Sequence, residues 1–393
     1  MTTSVPFGSL LSKIIDNRGK TCPTSEAGIP LIATNCIKNE HLYPVYEKVR
    51  YVSQEVYDSW FRGHPEPGDL IFVLKGTPGR VNWVNNPVDF CIAQDMVALR
   101  VDENKVYPKY LFAVLRSSQI QQEIEGLHVG SLIPHFKKSD FDDLQIPLVE
   151  EKLQKYIGDV YFNLSLKIDL LHRQNKTLEA MAETLFRQWF IEDESLDEVA
   201  VSELVTFNPK RTLAKGTEST YLEMAGLSTQ NFNATGYYKR EFTSGTKFIH
   251  QDTLLARITP CLENGKAGYV TFLSDREVGW GSTEYIVMRP KSGIHPLMAY
   301  VLCRNQDFKD YAESCMEGSS GRQRVNVEHL QEFTIGKPTD EVIQQFNEYL
   351  ESIESKLIYN SKQIQTLENL RDTLLPKLMS GEVRVQLQTE EVA

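Results

Sequence analysis

Two stretches of the 393-residue chain carry side chains whose types and spacing suit contacts to a polyanion. Arg257-Ile-Thr-Pro-Cys-Leu-Glu-Asn-Gly-Lys266 places Arg257, Thr259, Asn264 and Lys266 directly after a strand-like run, and Gly318-Ser-Ser-Gly-Arg-Gln-Arg324 adds Ser319, Arg322, Gln323 and Arg324 on a glycine-rich turn. A guanidinium can donate two parallel bonds to guanine O6 and N7, a carboxamide can pair with adenine, and hydroxyl or ammonium groups suit phosphate oxygens. Earlier in the chain Lys75, Thr77, Arg80 and Asn82, with Trp83, and then Ser131, His135, Lys137 and Lys138 make a comparable set. Any one of these residues alone reads as a solvated surface side chain. Their recurrence as sets at equivalent places singles them out.

Patterns for bond-making chemistry are scarce. The chain has no G-x-x-x-x-G-K-[ST] phosphate loop, no G-x-S-x-G elbow and no H-E-x-x-H helix. Asn86-Pro87 and Asn208-Pro209 do not continue into the Asn-Pro-Pro-aromatic motif of amino-methyltransferases. The acid-x-Lys triplets at Glu150/Lys152 and Glu354/Lys356 fall in helical runs, away from any partner carboxylate. Six cysteines without a C-x-x-C pair, and an N-terminus without an apolar leader core, point to a reduced, soluble, cytoplasmic chain without structural zinc. The pattern is that of a chain that recognises rather than reacts.

The elements that must position the loops occur twice. Gly68-Asp-Leu-Ile-Phe-Val-Leu74 recurs as Gln251-Asp-Thr-Leu-Leu-Ala-Arg257, and Asp95-Met-Val-Ala-Leu-Arg100 as Glu284-Tyr-Ile-Val-Met-Arg289. A helix opening at Pro108 matches one opening at Pro296, the Gly130-Ser131 and Gly318-Ser319 turns correspond, and the short strands near 144–147 and 333–335 each lead into a long helix. The offset stays between 183 and 189 residues, so the chain is a tandem duplication.

In the first long helix apolar residues fall at Leu153, Ile157, Val160, Leu164, Ile168, Leu171, Leu178, Leu185 and Trp189; in the second at Ile343, Phe346, Leu350, Ile353, Leu357, Ile364, Leu367 and Leu374. Steps of three and four predict a coiled coil, with the two helices antiparallel. Asn175 and Asn360 interrupt the seams. Two readings stand: a buried Asn that fixes register, or an exposed Asn beside a misdrawn seam.

The formal net charge of −11 argues against a nucleic-acid partner until it is divided along the repeat. Residues 1–148 carry −2, 149–199 carry −5, 200–338 carry +1 and 339–393 carry −5. Ten of the eleven surplus negative charges belong to the two helical segments and their tails. With a Debye length of about 8 Å, they barely affect a ligand at a distant loop.

The duplicated plan, Arg257–Lys266, Gly318-Ser-Ser-Gly-Arg-Gln-Arg-Val325, Gly130-Ser-Leu-Ile-Pro-His135 and the junction Ile146-Pro-Leu-Val-Glu-Glu151 resemble the specificity subunits of type I restriction-modification systems over essentially the whole chain. The resemblance implies an α+β protein with two tandem α/β target-recognition domains, separated by two long antiparallel coiled-coil helices in a pseudo-two-fold repeat. The expected bounds are 1–148 and 193–338 for the recognition domains, 149–192 and 339–382 for the helices and 383–393 for a tail. It implies a non-catalytic subunit that binds a bipartite double-stranded DNA target, one half per domain, and docks two methyltransferase subunits, with motor-nuclease subunits as a further partner. S-adenosylmethionine, ATP and Mg would then belong to the partners, with no cofactor or metal in this chain. Two other classes stay open at this stage, a self-contained DNA-modifying enzyme and a protein-binding scaffold.

Overall fold

The computed structural model describes residues 3–17, 19–127, 133–229, 231–319 and 321–383. The chain divides into two compact units, one of residues 1–170 with 364–393 and the other of residues 171–363.

In the first unit the elements run β1 (Thr3–Pro6), β2 (Leu11–Asp16), β3 (Ile29–Ile32), β4 (Arg50–Val52), α1 (Gln54–Trp60), β5 (Leu70–Val73), β6 (Val81–Trp83), β7 (Cys91–Ile92), β8 (Met96–Val101), α2 (Pro108–Leu115), α3 (Ser118–Gly126), β9 (Gln145–Leu148) and the long α4 (Glu151–Phe190). The second has β10 (Glu198–Ala200), β11 (Val205–Phe207), β12 (Glu218–Leu222), β13 (Tyr238–Glu241), β14 (Thr246–Ile249), β15 (Thr253–Ala256), β16 (Ala267–Tyr269), β17 (Val278–Gly281), β18 (Tyr285–Pro290), α5 (Leu297–Arg304), α6 (Gln306–Ser314), β19 (Met316–Glu317), β20 (Arg324–Val325), α7 (Val327–Leu330), β21 (Thr334–Gly336) and the long α8 (Asp340–Ser380).

The duplication read from sequence is a duplication of topology. One pair of sheets runs β2-β8-β5-β6 and β11-β18-β15-β16, referred to as the main sheets, a second β4-β3-β7 and β13-β12-β17-β14, and a two-stranded pair completes each unit as β1-β9 or β10-β21. Central strands such as β5 are buried at every position, which is why they read as unbroken apolar runs. Edge strand β13, Tyr-Lys-Arg-Glu, is exposed throughout and blunted by its charges. A buried acid ties the two central strands together in each main sheet. Asp69 accepts from Arg100 Nε and Nη2, both at 3.0 Å, and Asp252 from Arg289 Nε at 2.7 Å. A buried carboxylate costs several kcal/mol in desolvation unless it is paired, so the Arg on the neighbouring strand is required by the Asp.

Helix starts obey local chemistry. Pro108 occupies the first turn of α2, while Ser117 caps α3 and Asn305 caps α6 through their side chains. Gly158 lets α4 approach the start of α2, because a Cβ there would lie 2.6 Å from the Tyr110 nitrogen.

The long helices have 40 and 41 residues, about 60 Å each at 1.5 Å per residue. The α8 seam is buried as expected at Phe346, Leu350, Ile353, Leu357 and Ile364. In α4 the buried line passes partly one residue beyond the expected one, through Tyr161, Ala182, Phe186 and Phe190, while Val160, Leu164, Leu185 and Trp189 flank it. Large aromatics displaced the seam, because their rings fill the core that each helix covers. In the first unit Ile157 and Tyr161 share a core with Leu375 and Leu378; in the second Phe186 and Phe190 share one with Phe346 and Leu350. Within the second unit the numbering falls along one helix as it rises along the other, so the segments are antiparallel.

Of the two readings of the seam asparagines, the structure selects the buried one. Asn360 is 0% and Asn175 9% exposed, and Asn360 Nδ2 donates to Asn175 Oδ1 at 2.8 Å and to Gln174 Oε1 at 3.0 Å. The two lie 185 residues apart, within the repeat offset, so equivalent positions meet each other. Asn360→Ala strands a buried amide and should lower stability by about 1–3 kcal/mol. The joint change of both residues to Leu should cost less than that single change. Urea unfolding of the two variants and the parent checks this, and a double variant weaker than the single one would contradict it.

Candidate nucleic-acid interface

In each unit the fold brings the two expected loop sets together by the same backbone bonds. The Val325 N–H donates to Arg257 O at 2.8 Å and the Thr259 N–H to Gln323 O at 3.1 Å. In the first unit the Phe136 N–H donates to Leu74 O at 2.7 Å and the Gly76 N–H to Pro134 O at 3.0 Å. Isolated bridges join Ile258 to Arg324 and Lys75 to His135. This register aligns Arg324 with His135, Ile258 with Lys75 and Arg257 with Leu74.

Side chains differ where backbones agree. Arg257 and Thr259 are half-buried, and Asn264, Ser319, Arg322 and Arg324 are exposed, with Gln323 half-buried between the last two. Lys266 reaches back to donate to Met224 O at 3.2 Å. In the first unit Lys75, Thr77 and Arg80 are half-buried, while His135, Lys137 and Lys138 are exposed. The Lys138 ammonium pairs with Asp16, and the Lys137 N–H donates to Asp140 Oδ2 at 2.7 Å. Ser131 lies outside the described residues. Asn82 is 0% exposed. Its Oδ1 accepts from the Lys38 N–H at 3.0 Å and its Nδ2 donates to Lys38 O and His41 O at 2.8 and 2.6 Å, so its amide holds segment 38–41 in place. Trp83 is likewise engaged inward, edge-on to Phe112 and Phe162.

Two side chains that hold the candidate loops in place escape sequence reasoning. Glu284, at the head of β18, takes Arg324 on both carboxylate oxygens at 2.8 to 3.0 Å and has Arg257 Nε at 3.6 Å. The Arg324 hydrogen bonds hold its carboxyl below the usual 4.5. The other is Arg304. Its Nη1 donates to Thr229 O and Gly265 O at 3.0 and 2.9 Å, its Nη2 to Asn231 O and Ala267 O at 3.2 and 3.5 Å, and its Nε to Tyr300 Oη at 2.9 Å. The Tyr300 hydroxyl donates onward to Glu179 on α4 at 2.6 Å. The loop that ends at Lys266 is thereby fastened to the long helix. Alignment of the repeats carried a signal, since Arg304 ends α5 and Arg116 directly follows the corresponding α2; which carbonyls Arg304 meets did not show.

Residues 16–180 match the family model described as type I restriction modification DNA specificity domain. Over 391 residues the chain is 23% identical to the type I restriction enzyme MjaIX specificity subunit of Methanocaldococcus jannaschii, spanning 91% of this chain and 87% of that protein. Both matches are to type I restriction-modification specificity proteins. A second relative, the EcoEI specificity subunit of Escherichia coli, is 32% identical over 149 residues, 36% of this chain and 24% of its own length. The S subunit of a type I system from M. genitalium shares the fold, with a TM-score of 0.52 at 17% identity and 96% of each chain covered. These relatives are named as specificity subunits.

One further polar cluster lies apart from the loops. His295, Glu351 and Glu354 place ligand-type atoms within 4.8 Å of one another. His295 Nδ1 accepts the Leu297 N–H at 3.2 Å, so the ring proton sits on Nε2, which faces the two carboxylates at 3.1 and 3.3 Å. His295 lies just ahead of α5, so the cluster anchors the start of α5 to α8. Among the described residues no helix is long and apolar enough to cross a membrane. Arg304→Met removes donors from four carbonyls and should destabilise the second unit by about 3 kcal/mol. It should also speed amide exchange of residues 258–267 in hydrogen-exchange mass spectrometry, and unchanged exchange in that segment would contradict the fastening.

Proposed function

We propose that the chain reads a bipartite double-stranded DNA target, one half per unit, and docks two methyltransferase subunits and, for cleavage, motor-nuclease subunits through its helical segments in the cytoplasm. The observation that carries this reading is one backbone frame used twice with different side chains at its tip. Arg257, Arg324 and Gln323 replace Leu74, His135 and Pro134, and two unlike tips suit two unlike half-sites. In the second unit Arg257, Thr259, Asn264, Lys266, Ser319, Arg322, Gln323 and Arg324 supply the contacts. In the first, Lys75, Thr77, Arg80, Ser131, His135, Lys137 and Lys138 supply them, and Asn82 supports their loop.

The long helices suit a spacer. One added turn lengthens a helix by about 5.4 Å, between one and two base-pair rises of 3.4 Å. The acidic surplus of α8 and of the segment that follows α4 repels phosphate and leaves those surfaces to protein partners. Methylation chemistry, with S-adenosylmethionine, resides in the docked subunits.

Arg257→Ala and Arg324→Ala should each weaken target binding by about 1–3 kcal/mol and relax only one half of the recognised sequence, as read by mapping methylated bases genome-wide in cells carrying each variant. Loss spread over both halves would contradict one half per unit. Insertion of four residues into each long helix should change the unread gap and leave both halves intact; an altered half-site would refute the spacer.

A further inference from the structure

The second unit holds two guanidiniums on one carboxylate at the tip of its candidate interface. Arg324 spends Nε and Nη2 on Glu284 at 2.8 to 3.0 Å. Arg257 Nε lies 3.6 Å from the same carboxylate and is buried without a hydrogen-bond partner among the described residues. Glu284 is fixed through its backbone: its carbonyl accepts the Arg257 N–H at 3.0 Å and its N–H donates to Ser282 Oγ at 3.1 Å.

The fold does not need this triad. At the equivalent place in the first unit the Asp95 carbonyl accepts the Leu74 and Lys75 N–H groups at 2.8 and 3.2 Å, and the bridge partner is His135. The backbone closes in the same way with no guanidinium at either position. The Arg–Glu–Arg group is therefore an addition to the frame, and it sits where a ligand would meet the tip.

Its electrostatics bear on discrimination. A free arginine binds any phosphate it meets, and each phosphate contact raises affinity for all sequences alike. An arginine already saturated by a carboxylate gains little from a phosphate, whose approach the carboxylate also repels. A guanine edge, neutral and with two acceptors in fork geometry, suffers no such repulsion.

We propose that Glu284 is a specificity-determining residue of the second unit: it withholds Arg257 and Arg324 from phosphate contacts and keeps them for base edges. The inference rests on the DNA-binding reading above. Carboxylate and guanidiniums together present about one net positive charge, whereas Glu284→Gln presents two while retaining an oxygen that can accept from Arg324.

The test uses the full chain and its Glu284→Gln variant on a random pool of about 30-base-pair duplexes. Affinity is measured from about 50 to 200 mM salt, followed by selection and sequencing of the retained duplexes. For Glu284→Gln the slope of log affinity against log salt on unselected duplex should steepen by roughly one to two, matching one or two new phosphate contacts. The retained sequences should lose the half read by the second unit and keep the other. Glu284→Gln combined with Arg257→Met and Arg324→Met should return the slope to that of the parent or below. A Glu284→Gln protein that melts like the parent and shows the parent slope and both half-sites overturns the proposal. If Glu284→Gln melts early, Glu284→Ser with the same readouts decides in its place. Failure of the unaltered chain to retain any duplex at about 50 mM salt overturns the DNA-binding reading and the proposal with it.

Discussion

Neither unit closes its hydrophobic core without a segment of each long helix, and this constraint organises the rest. The first unit buries Ile157 and Tyr161 of α4 together with Leu375 and Leu378 of α8. The second buries Ala182, Phe186 and Phe190 of α4 with Phe346, Leu350, Ile353 and Leu357 of α8. The last turns of α8 complete the core around β5 and β8, which are distant from them in sequence. The helices are thus part of both cores as well as a link between elements.

That constraint explains why polar groups sit where they do. A seam that must serve two cores has to be held in one register, and a slide of one turn would misplace every aromatic ring along it. The Asn175–Asn360 pair at repeat-equivalent positions penalises any slide, because a shifted register buries two unpaired amides. The Glu179–Tyr300–Arg304 chain extends the same logic outward, linking α4 through buried hydrogen bonds to the loop that ends at Lys266. Burial pushes the Glu179 carboxyl up, while Tyr300 and Arg304 oppose that shift.

The interface follows a different rule. Loop backbones are equivalent in the two units, down to the bridges at Lys75–His135 and Ile258–Arg324, whereas the side chains they present are not. A frame held by main-chain bonds tolerates change at its tips, since nothing in the core depends on them. Asn82 marks the boundary of that freedom: its amide is wholly taken by the main chain of residues 38–41, so it belongs to the frame.

Sequence alone determined the duplication, the strands and helices that recur in both repeats, the absence of known catalytic patterns and the confinement of the acidic surplus to the helical segments and their tails, because periodicity and composition are local and repeat themselves visibly. It also marked the loops, whose glycines and arginines stand out. Only the tertiary structure decided that Asn175 and Asn360 are buried against each other, that the α4 seam runs through Tyr161, Phe186 and Phe190, and that Arg324 is held by Glu284. Each of those depends on which distant atom lies within about 3 Å, and a linear pattern carries no record of that distance. The same holds for Asn82, whose type suited a base contact until burial showed its amide fully used.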